Sequence, residues 1–338
     1  METIFLNEKT LDKAAELLKE GEIVAIPTET VYGLAANALN ESAVEKIYEA
    51  KGRPSDNPLI IHISKKDDVY LYVKEVSDKA KKLMDKFWPG PLTLIFKKKD
   101  IIPNRTSGGL DTVAVRMPEN EIAKKIISKC GFPLAAPSAN ISGKPSPTSF
   151  FHVIDDMNGK ISAIVDGGDC SIGVESTVLS AVDDEFILLR PGGVTIEEIE
   201  NEIGRIKISE SILHKLDENN ERPMSPGMKY KHYAPSANLY LVTGNELNVI
   251  KFLKEKKNIE RTGIICYDDY IGLHGRNVIE IGKKNDLSHQ AKEIFGALRS
   301  FDKMGVENIY SVYPSNKGVG LAVLNRMLRA AGFKVIRV

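Results

Sequence analysis

Apolar positions recur with two different periods along this chain, and the switches between them mark its elements. Leu11, Ala14, Ala15, Leu17 and Leu18 fall at helical spacing within the charged stretch from Asn7 to Glu20, and Gly21 ends it. Short apolar runs bounded by Gly, Pro and polar clusters predict strands at 23–26, 59–63, 92–96, 112–116, 134–136, 163–165, 176–180 and 186–189. A further short strand follows Met1-Glu2-Thr3. Helical spacing predicts helices over 41–50, 78–87, 121–129 and 196–202. Helices do not separate every strand pair. The expected class is therefore α/β with a mixed, twisted, open sheet, not a strictly parallel doubly wound one.

After residue 209 the texture changes. Arg222-Pro223-Met224-Ser225-Pro226-Gly227-Met228-Lys229-Tyr230-Lys231-His232-Tyr233-Ala234-Pro235 is bracketed by prolines, which remove donors and stiffen the chain. Flexible spacers are rich in Gly and Ser and do not carry Lys-Tyr-Lys-His-Tyr, although a plain tether with incidental aromatics reads similarly. Strands at 239–242, 263–266, 278–281, 309–312 and 335–336 then alternate with helices at 247–254, 287–301 and 321–331. This predicts a smaller, Rossmann-like α/β domain with a parallel sheet. The expected organisation is a first domain over 1–205, a linker over 206–236 and a second domain over 237–338.

Composition narrows the class. The 338 residues exceed the usual single domain, and 42% hydrophobic with 27% charged residues describes an ordinary globular protein able to bury sizeable cores. Lys+Arg and Asp+Glu both number 46, so a uniformly cationic nucleic-acid surface is not expected. Cys130, Cys170 and Cys266 lack Cys-x-x-Cys spacing, which argues for reduced thiols and against a disulfide framework or zinc site. No apolar run approaches the roughly 20 residues that span a bilayer, and no signal peptide is visible. No membrane association and a cytoplasmic location are the expectations.

Candidate chemistry lies on loops at strand ends. Pro27-Thr28-Glu29-Thr30-Val31-Tyr32-Gly33-Leu34 puts hydroxyls and a sharp turn after an apolar strand. Lys51-Gly52-Arg53-Pro54 places two cations on a pinned loop, with Asn57 and Pro58 close behind. Complementation of a helix macrodipole would use the same two cations. His62 lies within a strand, as a ligand or as a satisfied core histidine. Arg116 ends a strand before Met117-Pro118; its fork suits a carboxylate, or a surface ion pair. Ala135-Ala136-Pro137-Ser138-Ala139-Asn140-Ile141-Ser142-Gly143-Lys144-Pro145-Ser146 joins small residues, which admit a close ligand, to neutral donors and acceptors. Glu175-Ser176-Thr177 and Arg190-Pro191-Gly192 repeat the format. Each loop singly could be a mere turn.

There is no Gly-x-x-x-x-Gly-Lys-Ser/Thr, and Gly318-Val319-Gly320 reads as a plain tight turn. No Ser/His/Asp layout or His/Cys metal cluster competes with the loops. What remains is catalysis by positioning and charge neutralisation, the style suited to displacement at phosphorus of a nucleoside triphosphate.

Together, Pro27-Thr28-Glu29-Thr30-x-Tyr32-Gly33-Leu34, Lys51-x-Arg53-Pro54, Ser138-x-Asn140-x-Ser142-Gly143, Glu175-Ser176-Thr177 and Arg190-Pro191-Gly192 closely resemble the YrdC/Sua5 family of threonylcarbamoyl-adenylate synthases. The Ser225–Pro235 linker and the second domain resemble the longer Sua5 form, so the likeness covers essentially the whole chain. The resemblance implies a nucleotidyltransferase that converts ATP, L-threonine and bicarbonate to threonylcarbamoyl-AMP and pyrophosphate. This is the first step towards t6A at position 37 of tRNAs reading ANN codons.

By position it implies a threonine site of Thr30, His62, Arg116, Ala136 and Ser176, with Arg116 on the carboxylate. Lys51, Arg53, Asn57, Thr112, Ser138, Asn140, Ser146 and Arg190 would hold ATP, Lys51 and Arg53 being the catalytic pair. Some relatives carry Lys where Asn57 stands. The linker would form a lid through Lys229, Tyr230 and His232. Magnesium would accompany ATP, with no protein metal site of its own. The product would pass to a threonylcarbamoyl transferase complex acting on tRNA, with weak RNA contact as a further expectation. Two alternatives stay open: an RNA-binding module without chemistry, and carbamoyl-adenylate formation on another acceptor. The hydrogenase maturation proteins that do the latter carry acylphosphatase-like and zinc-finger segments, and none appears here.

Overall fold

The computed structural model describes residues 2–53, 57–214 and 233–338. They form two compact units, residues 2–142 with 146–212, and residues 143–145 and 213–214 with 233–338. The expected linker falls largely on 215–232, which together with its candidate lid residues Lys229, Tyr230 and His232 lies outside the described residues.

The first unit is built on β1 (Ile4–Leu6), β2 (Val24–Ile26), β3 (Gly33–Asn37), β4 (Ile60–His62), β5 (Leu92–Lys97), β6 (Thr112–Arg116), β7 (Leu134–Ala135), β8 (Ala163–Val165), β9 (Thr177–Val182), β10 (Glu185–Arg190) and β11 (Lys207–Ile208). Among the described residues these make one sheet ordered β1-β8-β2-β3-β7-β4-β6-β5-β9-β10-β11. Its pairs are mixed: β4 and β6 run parallel, while β5 and β6, and β4 and β7, run antiparallel. The mixed sheet is as expected. Strand β3 is not, because Gly-Leu-Ala-Ala-Asn has little β-propensity and is held by antiparallel partners on both sides.

Helices Leu11–Lys19 and Glu121–Cys130 cover one face of the β1, β8, β2, β3 and β7 half. Leu11, Ala14, Ala15, Leu17 and Leu18 are the buried stripe of the first helix, packed with Ile126, Ile127, Val24, Ile26 and Val165. Leu18 is fully buried, and its truncation to Ala would cost about 2–5 kcal/mol. A separate apolar cluster of Ile60, Ile95, Ala114, Val178 and Leu189 occupies β4, β6, β5, β9 and β10.

The second unit carries β12 (Asn238–Thr243), β13 (Thr262–Cys266), β14 (Val278–Glu280), β15 (Asn308–Val312) and β16 (Val335–Arg337), ordered β14-β13-β15-β12-β16. Every pairing is parallel, as the alternation of strand and helix predicts. Helices Glu246–Lys257, Leu287–Met304 and Gly320–Ala330 connect the strands. No described helix is long and apolar enough to cross a membrane.

Candidate functional site

Register sets the site. His62 on β4 pairs with Arg116 on β6, Arg116 with Thr93 on β5, Thr93 with Val178 on β9, and Val178 with Arg190 on β10. Directly paired residues share a face, so these side chains form one row across five neighbouring strands. Alternation along β6 puts Thr112 and Ala114 on the same face as Arg116. Thr112 stands at the far end of that strand, about 13 Å from Arg116 at ~3.3 Å per residue. The apolar cluster around Ala114, Ile60 and Ile95 lies between them.

Arg116 is the hub. Its Nη2 donates to Glu29 Oε1 at 2.5 Å, its Nη1 to Thr30 Oγ1 at 2.9 Å, and its Nε to the Gly90 carbonyl at 3.2 Å. Both charged side chains are only 5% exposed, so this is a buried pair and not the surface ion pair that the sequence also allowed. Burial would raise the Glu29 carboxyl, but the Arg116 charge and its hydrogen bonds prevail and hold it below the usual carboxylate range. A guanidinium carries five N–H groups, and three are engaged here. Among the described residues the other two have no partner. Glu29 is the residue that the sequence reading missed as a participant; the only signal was its place between Thr28 and Thr30 in the motif.

Thr30 is fixed from both sides. Thr28 Oγ1 lies 2.9 Å from Thr30 Oγ1 and accepts from the Thr30 amide at 3.2 Å. His62 is buried, and its Nδ1 has no hydrogen-bond partner among the described residues. Burial, reinforced by the Arg116 charge, lowers its pKa to about 3. It therefore stands as a neutral imidazole. Ser176 Oγ meets Thr93 Oγ1 at 2.7 Å, and Arg190 Nη2 donates to the Ser176 carbonyl at 3.0 Å and to its Oγ at 3.2 Å. Gly192 explains why Arg190-Pro191-Gly192 accompanies Glu175-Ser176-Thr177: a Cβ there would sit 2.2 Å from the Thr177 amide nitrogen. The two loops can touch only if that position is glycine.

A second group gathers at the end of helix Glu41–Lys51. Asn40 caps its start, accepting from the Ser42 and Ala43 amides, and Gly52 closes it at φ 59°, turning Arg53 away from the axis. Lys51 is the last residue of that helix. Its buried Nζ donates to the Ser138 carbonyl, to the Asn140 carbonyl at 2.7 Å and to Asn140 Oδ1 at 3.4 Å. Ser138 Oγ in turn donates to Asn140 Oδ1 at 2.5 Å. Asn57 is fully buried, its side-chain amide without a partner among the described residues, and the Tyr48 hydroxyl holds its carbonyl at 2.9 Å. Ser146 Oγ donates to Glu175 Oε1 at 2.6 Å.

Backbone bonds tie the two groups together. The Ala139 amide donates to the Tyr32 carbonyl at 2.8 Å, the Tyr32 amide to the Pro147 carbonyl at 2.9 Å, and the Ser142 amide to the Lys51 carbonyl at 2.9 Å. The Thr30 loop, the Ser138–Asn140 loop and the Lys51 helix are thus one connected body. Tyr32 itself is scaffold: it is buried and its hydroxyl donates to the Gly168 carbonyl at 2.7 Å. Ala136 has its methyl in the apolar core beside helices Leu11–Lys19 and Glu121–Cys130, while its amide donates to the Ile60 carbonyl at 3.1 Å.

Known proteins resemble this chain in sequence and fold. The family model for Sua5, YciO and YrdC, described as "Telomere recombination", matches residues 16–192. One described as "Threonylcarbamoyl-AMP synthase, C-terminal domain" matches residues 194–332. The threonylcarbamoyl-AMP synthase of Bacillus subtilis is 48% identical over 98% of this chain and 95% of its own length. That of Pyrococcus abyssi is 48% identical over 96% and 95%. The crystal structure of P. abyssi Sua5 complexed with L-threonine superposes with a TM-score of 0.92 at 45% identity, covering all of both chains. Escherichia coli YciO, at 22% identity and TM-score 0.51, shares the fold over 57% of this chain.

Proposed function

Since the chain belongs to the Sua5/YciO/YrdC family, carries the Sua5 C-terminal domain over residues 194–332 and aligns with threonylcarbamoyl-AMP synthases over nearly its full length, we propose that it makes threonylcarbamoyl-AMP from ATP, L-threonine and bicarbonate. The observation that carries this reading is the buried row of His62, Arg116, Thr93 and Arg190, with Thr30 and Ser176 hydrogen-bonded to it and backbone bonds tying it to the Lys51, Ser138 and Asn140 group. One end suits an amino acid, and the other suits a polyphosphate.

In this reading the two remaining N–H groups of Arg116 take the threonine carboxylate, with Glu29 fixing the fork's orientation. Neutral His62 and the hydroxyls of Thr30 and Ser176 hold the rest of the amino acid without a competing charge. The threonine amine attacks CO2 derived from bicarbonate and loses a proton, giving a carbamate. A carbamate oxygen then bonds to the α-phosphorus of ATP as the bond to pyrophosphate breaks. No protein nucleophile is needed. Positioning and charge neutralisation supply the rate, with Arg53 and Arg190 on the phosphates and Lys51 reinforcing the Ser138–Asn140 loop that cradles them.

Among the described residues no group of three or more His, Cys, Asp or Glu side chains could hold a metal by itself. The donor set fits a magnesium ion carried on the substrate phosphates, which keeps its waters and borrows one or two protein oxygens. Ser146 and Glu175 would supply them, and the ion would neutralise charge on the triphosphate. The product's mixed anhydride is suited to a transferase that modifies tRNA, the t6A route implied by the family.

Incubation with ATP, bicarbonate and labelled threonine tests the reading, with pyrophosphate and threonylcarbamoyl-AMP followed together. Both should appear in equal amounts and only when threonine is present. Pyrophosphate release that ignores threonine would overturn it.

A further inference from the structure

The second unit contains a cavity of about 430 Å³ that the chemistry above does not use. Its lining comes from the segments just beyond β12, β13, β14 and β15, all at the carboxyl edge of one parallel sheet. Strands β12 and β15 are neighbours, yet their connections leave in opposite directions, from β12 towards β13 and from β15 towards β16. That is the switch point at which open parallel sheets bind ligands. The volume lies within the roughly 300–1,000 Å³ of small-molecule sites.

The walls are held in place before any ligand arrives. Asp268 Oδ1 accepts from the Gly282 amide at 2.8 Å, and Asp269 Oδ1 from the Lys284 amide at 3.2 Å. Gln290, fully buried, donates to the Lys283 and Lys284 carbonyls at 2.8 and 3.0 Å. Tyr267 and Tyr270 are buried edge to face with ring centres 5.3 Å apart, and Tyr313 adds a third ring to the lining.

Charge is asymmetric. Lys284 is paired with Glu246 at 2.9 Å, which among the described residues leaves the Lys317 ammonium as the uncompensated cation of the lining. Beside it stands Ser315, whose Oγ accepts from the Lys317 amide at 3.2 Å. Aromatic walls for a flat ring, hydroxyl and amide groups of Thr243 and Asn285, and a single net positive charge form a definite chemical requirement. We propose that this cavity is a binding site for a nucleoside monophosphate, with the base among the tyrosines and the phosphate at Ser315 and Lys317. The turn Gly318-Val319-Gly320, read from sequence as incidental, directly follows this phosphate end.

Hydrogen–deuterium exchange on the full chain tests the site, because peptides of the second unit report it separately from any nucleotide bound in the first. AMP should slow exchange in both 267–285 and 313–317. Adenosine alone and inorganic phosphate alone should do so far less at equal concentration. Lys317→Glu, on an exposed loop, should weaken AMP protection about tenfold, the loss of one charge-assisted contact. Asn285→Trp, which fills the cavity without changing its charge, should abolish it. No protection of these segments by AMP, protection by AMP that Lys317→Glu leaves unchanged, or equal protection by phosphate alone would each overturn the proposal. Threonine-dependent pyrophosphate release is measured separately, so failure of one assignment leaves the other standing.

Discussion

In the first unit the polar side chains of the site stand on the face of a mixed sheet, in register across β4, β6, β5 and β10. In the second they sit on loops beyond the ends of parallel strands. The difference is one of burial. Arg116, Glu29, His62 and Thr30 are all inside, so each must be satisfied by a neighbour or kept neutral, and the site doubles as part of the core. Lys284, Asn285 and Lys317 are exposed, and the fold does not depend on them. Substitutions among these four buried residues should therefore move stability and chemistry together, while those on exposed loops should separate them.

Arg116 gives the largest effect. Arg116→Ala strands the Glu29 carboxylate in the interior and should cost about 3–5 kcal/mol in a denaturant titration, besides abolishing synthesis. Arg116→Leu with Glu29→Leu removes both charges and should regain most of that stability without regaining activity. If the single and double variants are equally unstable, the pair is not what couples site to core.

Arg53→Ala inverts the balance. Arg53 is half-buried on the loop released by Gly52, so its loss should change stability by less than about 1 kcal/mol. Its charge is called on as pyrophosphate leaves, and the turnover of ATP should fall about 10²–10³-fold. A variant with unaltered turnover would remove Arg53 from the site.

The same split explains what the sequence made legible. Strand Thr112–Arg116 shows in its own alternation, and the parallel second sheet shows in the spacing of its apolar runs. Strand Gly33–Asn37 does not show, since its residues are poor strand formers recruited by neighbours. Helix Phe150–Met157, capped by Ser149, does not show either, because its eight residues are too few to establish a helical period. Motif residues were readable as polar groups at strand ends, but their partners were not. Glu29 meets Arg116 across 87 positions, and Lys51 is met by main-chain carbonyls that every residue type possesses.

His62 offers a subtler separation, through pH. Its folded pKa is about 3 against the usual value near 6.5, so between those limits the unfolded chain binds the extra proton. Stability is complete above pH 6.5 and falls as pH drops towards 3, by up to about 1.4 kcal/mol per pH unit from this group. The depressed Glu29 carboxyl acts in the same direction at lower pH, its contribution being lost as acid protonates it. Urea midpoints should accordingly be lower at pH 5 than at pH 7, and His62→Asn should flatten that slope. An unchanged slope would place the titrating group elsewhere.

At the small end lies Lys284. Its pair with Glu246 is 46% and 48% exposed, where an ion pair is worth about 0–1 kcal/mol and is screened by salt. Lys284→Met should shift the thermal midpoint by a degree or two at low ionic strength and by nothing measurable at high salt, with synthesis intact. It also leaves Glu246 as an unpaired carboxylate beside the cavity, so AMP protection of 313–317 should weaken although Lys317 is untouched. If synthesis fell instead, the second unit's loops would belong to the catalytic machinery, and the division between a buried site that holds up its fold and an exposed one that does not would fail.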